Sequence, residues 1–177
     1  LLEDIMKLGS LYRKNYIVWN SRKDSDLKVY SYLTSTSSFG GIFGEDTQEQ
    51  GDSHLSMAKV MRRIQVLEGE LEERMRATGT RFPLLCLQEE AGLNCLERRI
   101  LYLMLFTANY VESGITIQDV LNICRSLGHG YEEVLKAVDG SARLMENGIL
   151  ELKSSDIMDY HKDPLKRHIC ITKKSLN

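Results

Sequence analysis

Residues 115–152 read ITIQDVLNICRSLGHGYEEVLKAVDGSARLMENGILEL, and the caps and spacings inside that stretch decide how the rest of the chain is read. Thr116 is followed three residues later by Asp119, the pattern by which a helix start satisfies a free amide. Ile117, Val120, Leu121, Cys124 and Leu127 then recur at helical spacing. Gly128 stands where that helix needs a left-handed residue to stop. A second helix is expected over 130–147, carried by Val134, Leu135, Val138, Ala142 and Met145 and ended by Gly148. Leu150 and Leu152 alternate with Ile149 and Glu151, which reads as a strand.

Working outward, Asn94 and Glu97 form the same capping pattern at the head of a helix through Ile100, Leu101, Met104 and Leu105 toward Tyr110. Downstream, Ile169 and Ile171 alternate with His168, Cys170 and Thr172 as a second strand, joined to the first by the fourteen residues 154–167. Three capped helices followed by two strands around a charged loop spell a winged helix. The expected fold is therefore mainly α with a small β hairpin, an α+β chain with the winged helix over 80–177.

Two more helices precede it. Leu1, Leu2, Ile5, Leu8, Tyr12, Tyr16 and Trp19 lie on one helical face, and Val60 or Met61, Ile64, Leu67, Leu71 and Met75 lie on another. Glu70 with Arg74, and Glu72 with Arg76, stand four residues apart in the favourable acid-first order. The chain thus divides into an N-terminal helix and loop over 1–55, a long charged helix over 56–79, and the winged helix. A further helix is expected over 27–34, and the Ser-, Gly- and Asp-rich residues 34–53 read as a loop. The first two helices form a hairpin packed on this chain or an arm reaching a neighbour. Tyr12, Tyr16 and Trp19 are the candidate arm interface.

Composition limits the function. The hydrophobic share of 42% supports a core, and a formal charge of −2 gives no global attraction to polyanions. Cys86, Cys95, Cys124 and Cys170 lack any CxxC spacing, so they are expected as reduced core residues. The longest apolar run, 100–110, is about half of what a bilayer needs, so no membrane partner is expected. No signal peptide is in view, and the expected location is cytoplasmic. Because Leu1 is already in helical register, the chain is expected to be part of something longer.

No catalytic constellation is legible. The glycines at 40, 41 and 44 lack the lysine of a phosphate-binding loop, His161 and His168 lack ligand spacing, and no cysteine has an identified activating base. Catalytic, cofactor and metal residues are accordingly expected to be none. In a DNA-reading fold the second helix of the pair enters the major groove. Here 130–147 carries Lys136 and Arg143 against Glu132, Glu133, Asp139 and Glu146, with acids at the leading end where phosphates would lie. Glu132, Glu133, Lys136 and Asp139 are therefore a candidate partner surface. Residues 149–177 hold six cations against four acids, and Lys162, Lys166 and Arg167 are candidate wing contacts.

The stretch ATGTRFPLLCLQEEAGLNCLERRILYLMLF, 77–106, resembles the winged-helix domain that precedes the ATPase core in a group of prokaryotic AAA-family ATPases. Phe82, Pro83, Leu84, Leu87, Gly92, Leu93, Glu97, Arg98 and Ile100 carry the likeness, which extends over about 60–172 through ITIQDVLNIC and SARLMENGIL. The resemblance implies a non-catalytic accessory domain that docks proteins, recruits substrates or regulates a following module. That module would bind ATP and Mg in the parent protein. No Walker A lysine, Walker B carboxylate or arginine finger lies in these residues. The expected partner is a protein or the ATPase module of the same chain. The alternative is a dimeric winged-helix transcriptional regulator that binds DNA through its wing.

Overall fold

The computed structural model describes residues 2–23, 57–77, 83–108, 114–153 and 163–172. The expected helix over 27–34, the loop over 34–53 and its glycines, and Phe82, His161 and Lys162 lie outside them. The described residues are mainly helical with one small antiparallel sheet.

Helix α1 (Leu2–Lys23) buries Ile5, Leu8, Leu11, Tyr12 and Asn15, and Glu3 and Asp4 in its first turn complement the helix dipole. Helix α2 (Met57–Ala77) buries Val60, Ile64, Leu71 and Met75. The two run antiparallel. Arg74 donates to Asp4 at 2.7 Å near one end, and the Tyr12 hydroxyl donates to Glu68 at 2.7 Å nearer the middle. Helix α3 (Pro83–Glu90) follows, with proline at the first position, where its missing amide costs nothing. From sequence alone Pro83 marks only a break. The helix is short, and its buried residue is Gln88, whose amide donates to the Tyr102 hydroxyl at 3.0 Å.

Gly92 at φ 60° turns the chain into α4 (Cys95–Ala108). Its cap is reciprocal: the Glu97 amide donates to Asn94 Oδ1 at 2.9 Å, and the Asn94 amide donates to Glu97 Oε2 at 2.8 Å. α4 is buried almost all round because two cores share it. Ile100, Leu101 and Met104 face the core of the C-terminal unit, while Tyr102 and Leu103 face the core made with α1 and α2.

Strand β1 (Ile115–Thr116) leads into α5 (Ile117–Ser126), where Thr116 Oγ1 accepts from the Asp119 amide at 3.1 Å. Gly128, at φ 93°, ends α5 as expected. Next come α6 (Tyr131–Val138), α7 (Arg143–Glu146), strand β2 (Leu150–Lys153), a 3₁₀ turn (Pro164–Lys166) and strand β3 (His168–Ile171). The expected single helix over 130–147 is two. Asp139 is extended, its carboxylate accepts from the Ser141 hydroxyl at 2.9 Å, and the Ala142 amide bonds the Asp139 carbonyl at 2.8 Å. That Asp-Gly-Ser turn competes with the helix and wins.

The sheet has three strands in the order β1-β3-β2, so the expected hairpin gains a strand. Leu150 pairs with Ile171, Leu152 with Ile169, and Ile115 with Ile169 on the other side. β1 holds two residues and shows no alternation that a sequence could betray. From α4 onward the order is helix, strand, helix, helix pair, strand and strand, an α+β arrangement around the small antiparallel sheet. β2, β3, α5 and α6 close over Val120, Leu121, Val134, Val138, Ile149 and Ile169.

Candidate docking surface

α6 is held at its leading end by its own acid. Gly130 caps it in extended conformation, and the Gly130 amide donates to Glu133 Oε2 at 3.2 Å. Beyond that cap Tyr131, Glu132, Glu133, Lys136 and Asp139 are exposed, while Val134, Ala137 and Val138 face the core. The Ser141 hydroxyl and the Gly140 amide hold the Asp139 carboxyl below the usual carboxylate range. Arg143 stands apart on α7. Its guanidinium binds the Gly92 carbonyl and lies 3.7 Å from Glu97, tying α7 to the turn before α4. Of the two cations assigned to this helix from sequence, Lys136 is the one that stands on α6.

The candidate wing residues divide. Asp163 Oδ1 accepts from the Leu165 amide at 3.0 Å and opens the 3₁₀ turn. That turn leaves Lys166 and Arg167 exposed, while the Arg167 carbonyl accepts from the Ile117 amide at 2.9 Å. Lys162 lies outside the described residues.

The arm residues divide too. Tyr12 is fully buried against Glu68 and has no surface for a partner, which corrects its place in the arm interface. α1 packs on this chain's own α2, α4 and α5. Tyr16 and Trp19 are half-buried, with ring centroids 6.3 Å apart. The Arg125 guanidinium lies 5.8 Å from the Trp19 ring and 6.0 Å from the Tyr131 ring, within cation–π range of both. Two surfaces expected separately from the sequence, the end of the arm and the head of α6, therefore meet at Arg125. Nothing in the sequence points to this residue, because the contact exists only once α1 lies on α5.

Beneath the surface runs a polar chain that is not legible in the sequence. Arg99 grips Glu68 with two bonds of 2.8 Å, and its Nη1 lies 3.0 Å from His129 Nε2. A guanidinium only donates, so Nε2 is the acceptor and the imidazole is neutral with its proton on Nδ1. Nδ1 faces Glu133 at 3.5 Å. Burial first, and the Arg99 cation second, hold the His129 pKa below its ordinary value. Glu133 therefore serves the helix cap and His129 before it serves any partner.

The cysteines are free, but their placement differs from the expected core. Cys124 alone is buried, its thiol pushed up to about 12 by burial, whereas Cys95 is exposed. Among the described residues no group of three His, Cys, Asp or Glu gathers to hold a metal ion, and no helix is long and apolar enough to cross a membrane. Of the residues behind the AAA-family likeness, Gly92 makes a left-handed turn, Glu97 a cap, and Leu93 and Ile100 are in the core. No family model, curated protein or solved structure matches the chain.

Proposed function

We propose that this chain is a non-catalytic winged-helix docking module whose protein partner sits on the exposed side of α6, from Tyr131 and Glu132 at its head to Asp139 just past its end. The observation that supports this most is the charge of α6: Lys136 is its one cation, against Glu132 and Glu133, with Asp139 just past its end. A groove-reading helix needs Arg, Lys, Asn or Gln on its exposed face and phosphate-compatible charge at its leading end. Tyr131, 42% exposed beside Arg125, whose guanidinium also reaches Trp19, supplies the aromatic and arginine chemistry that protein interfaces favour.

The sequence resemblance supports placing this module ahead of an ATP-hydrolysing AAA core in a cytoplasmic parent protein. In that setting the partner is a recruited protein or the ATPase module itself. The reading frame past Asn177 tests this half of the proposal: a Walker A and Walker B pair supports it, and a stop codon shortly after contradicts it.

The competing reading is a DNA-binding regulator that grips phosphate through its wing. Duplex affinity measured against salt separates the two. Docking predicts that Lys166→Ala with Arg167→Ala leaves the slope of log K against log salt unchanged. The DNA reading predicts a slope flatter by about 1.8, at about 0.9 for each phosphate no longer neutralised.

A further inference from the structure

The antiparallel pairing of α1 and α2 sorts their charges into two ends. The register set by Asp4 with Arg74 and Tyr12 with Glu68 lays residues 13–23 of α1 beside residues 57–67 of α2. The sequence of those halves holds Arg13, Lys14, Arg22 and Lys23 on α1 and Lys59, Arg62 and Arg63 on α2, and neither half contains an Asp or Glu. All the acids of both helices lie toward the other end, among them Glu70, Glu72 and Glu73. Among the described residues, this end of the pair holds cations and no acid.

Lys59 stands where the helix dipole alone would not put a cation. α2 has no acid in its first turn, and Lys59 occupies that turn against the positive end of the helix dipole. Lys59 and Arg63 are a like-charged pair four residues apart, which weakens an isolated helix. Across the helix pair, Lys14 is held below the usual lysine range by burial and by the Arg63 cation.

Lys59, Arg62 and Arg63 are exposed and share one helical face by their three- and four-residue spacing. On these halves Val66, 52% exposed, is the one large apolar side chain among the described residues that stands well out into solvent. The apolar anchors of a protein interface are thus thin here, and arginine-rich charge suited to phosphate oxygens dominates. We propose that this end of the α1–α2 pair, centred on Lys59, Arg62 and Arg63, is a sequence-independent contact for the phosphate backbone of nucleic acid. The residues it uses are other than those of the wing and of α6.

Residues 24–56, which join the two cationic halves, carry six acids and one lysine, so the test uses the full chain with those acids in place. Fluorescence anisotropy of a labelled mixed-sequence DNA duplex, followed across salt concentrations, reads the contact. The expected result is binding that weakens steeply with salt. Arg62→Ala with Arg63→Ala should lower affinity about tenfold at low salt and flatten the log–log slope by about 1.8. The wing pair, Lys166→Ala with Arg167→Ala, is the control and should change neither quantity. Lys59→Ala should give a smaller loss in the same direction as the α2 pair, and circular dichroism checks that each variant keeps its helices.

Absence of duplex binding at low salt would overturn the proposal. So would a loss of affinity produced by the wing pair and not by the α2 pair. Tighter binding of labelled poly-glutamate than of the duplex would also overturn it, by assigning the surface to an acidic polypeptide in place of phosphate.

Discussion

His129 carries the clearest consequence of a single side chain. Its Nε2 accepts from Arg99, so protonation sets a donor against a donor and a cation against a cation at 3.0 Å, with Glu133 on the other side and Glu68 beyond Arg99. The folded-state pKa lies below the ordinary value of 6.5, so the unfolded chain binds the proton more readily. The resulting stability is fully present above pH 6.5 and is lost as pH falls through the lower folded-state value. Urea unfolding across that window should show wild-type stability falling faster than that of His129→Gln, whose amide oxygen can accept from Arg99 without titrating. Equal slopes would mean that the imidazole is not held neutral. His161 and His168 draw attention in the sequence because they flank the wing, and His129 does not, because Arg99 and Glu68 come from distant α4 and α2 and only Glu133, four residues on, is near it in sequence.

At the scale of elements, two glycines make opposite predictions. A Cβ on Gly9 of α1 would overlap the Cβ and Cγ of Phe106 on α4, whereas a Cβ on Gly69 of α2 would meet nothing within 4 Å. Gly9→Ala should destabilise by about 1–3 kcal/mol through overpacking. Gly69→Ala should stabilise by about 0.5–1 kcal/mol through helix propensity. Thermal melts of the two variants check the pair, and a neutral Gly9→Ala would contradict the close approach of α1 to α4. The helices that announce themselves locally are legible in the sequence: Asn94 with Glu97, Thr116 with Asp119, and Gly128 each act within a few residues. What escapes depends on pairing between distant residues or on competition within a turn. β1 is strand because Ile169 pairs with Ile115, α3 gains a partner for Gln88 in Tyr102, and α6 stops because Asp139 and Ser141 bond each other.

Across the whole molecule, charge and packing divide the surface. α1 and α2 cover one face of α4 and α5 through Tyr102, Leu103, Ile123 and Leu127, so the arm is part of this chain's core. The cations gather at one end of the α1–α2 pair, while the head of α6 offers acids around Tyr131. Composition alone shows only a near-neutral chain, since the two charges cancel in the sum. The candidate surface is half legible for the same reason: Glu132 and Asp139 can be read from the helix, but Arg125 joins Trp19 to Tyr131 only in three dimensions. Protein docking at the head of α6 is tested most directly by a photo-crosslinking amino acid placed at Glu132 in the protein expressed in its native cell, with the adducts identified by mass spectrometry. The predicted result is a discrete protein adduct at Glu132 that the same probe at exposed Gln65 on α2 does not form. Adducts to nucleic acid at Glu132, or silence there while the same probe at Lys166 captures DNA, would contradict it.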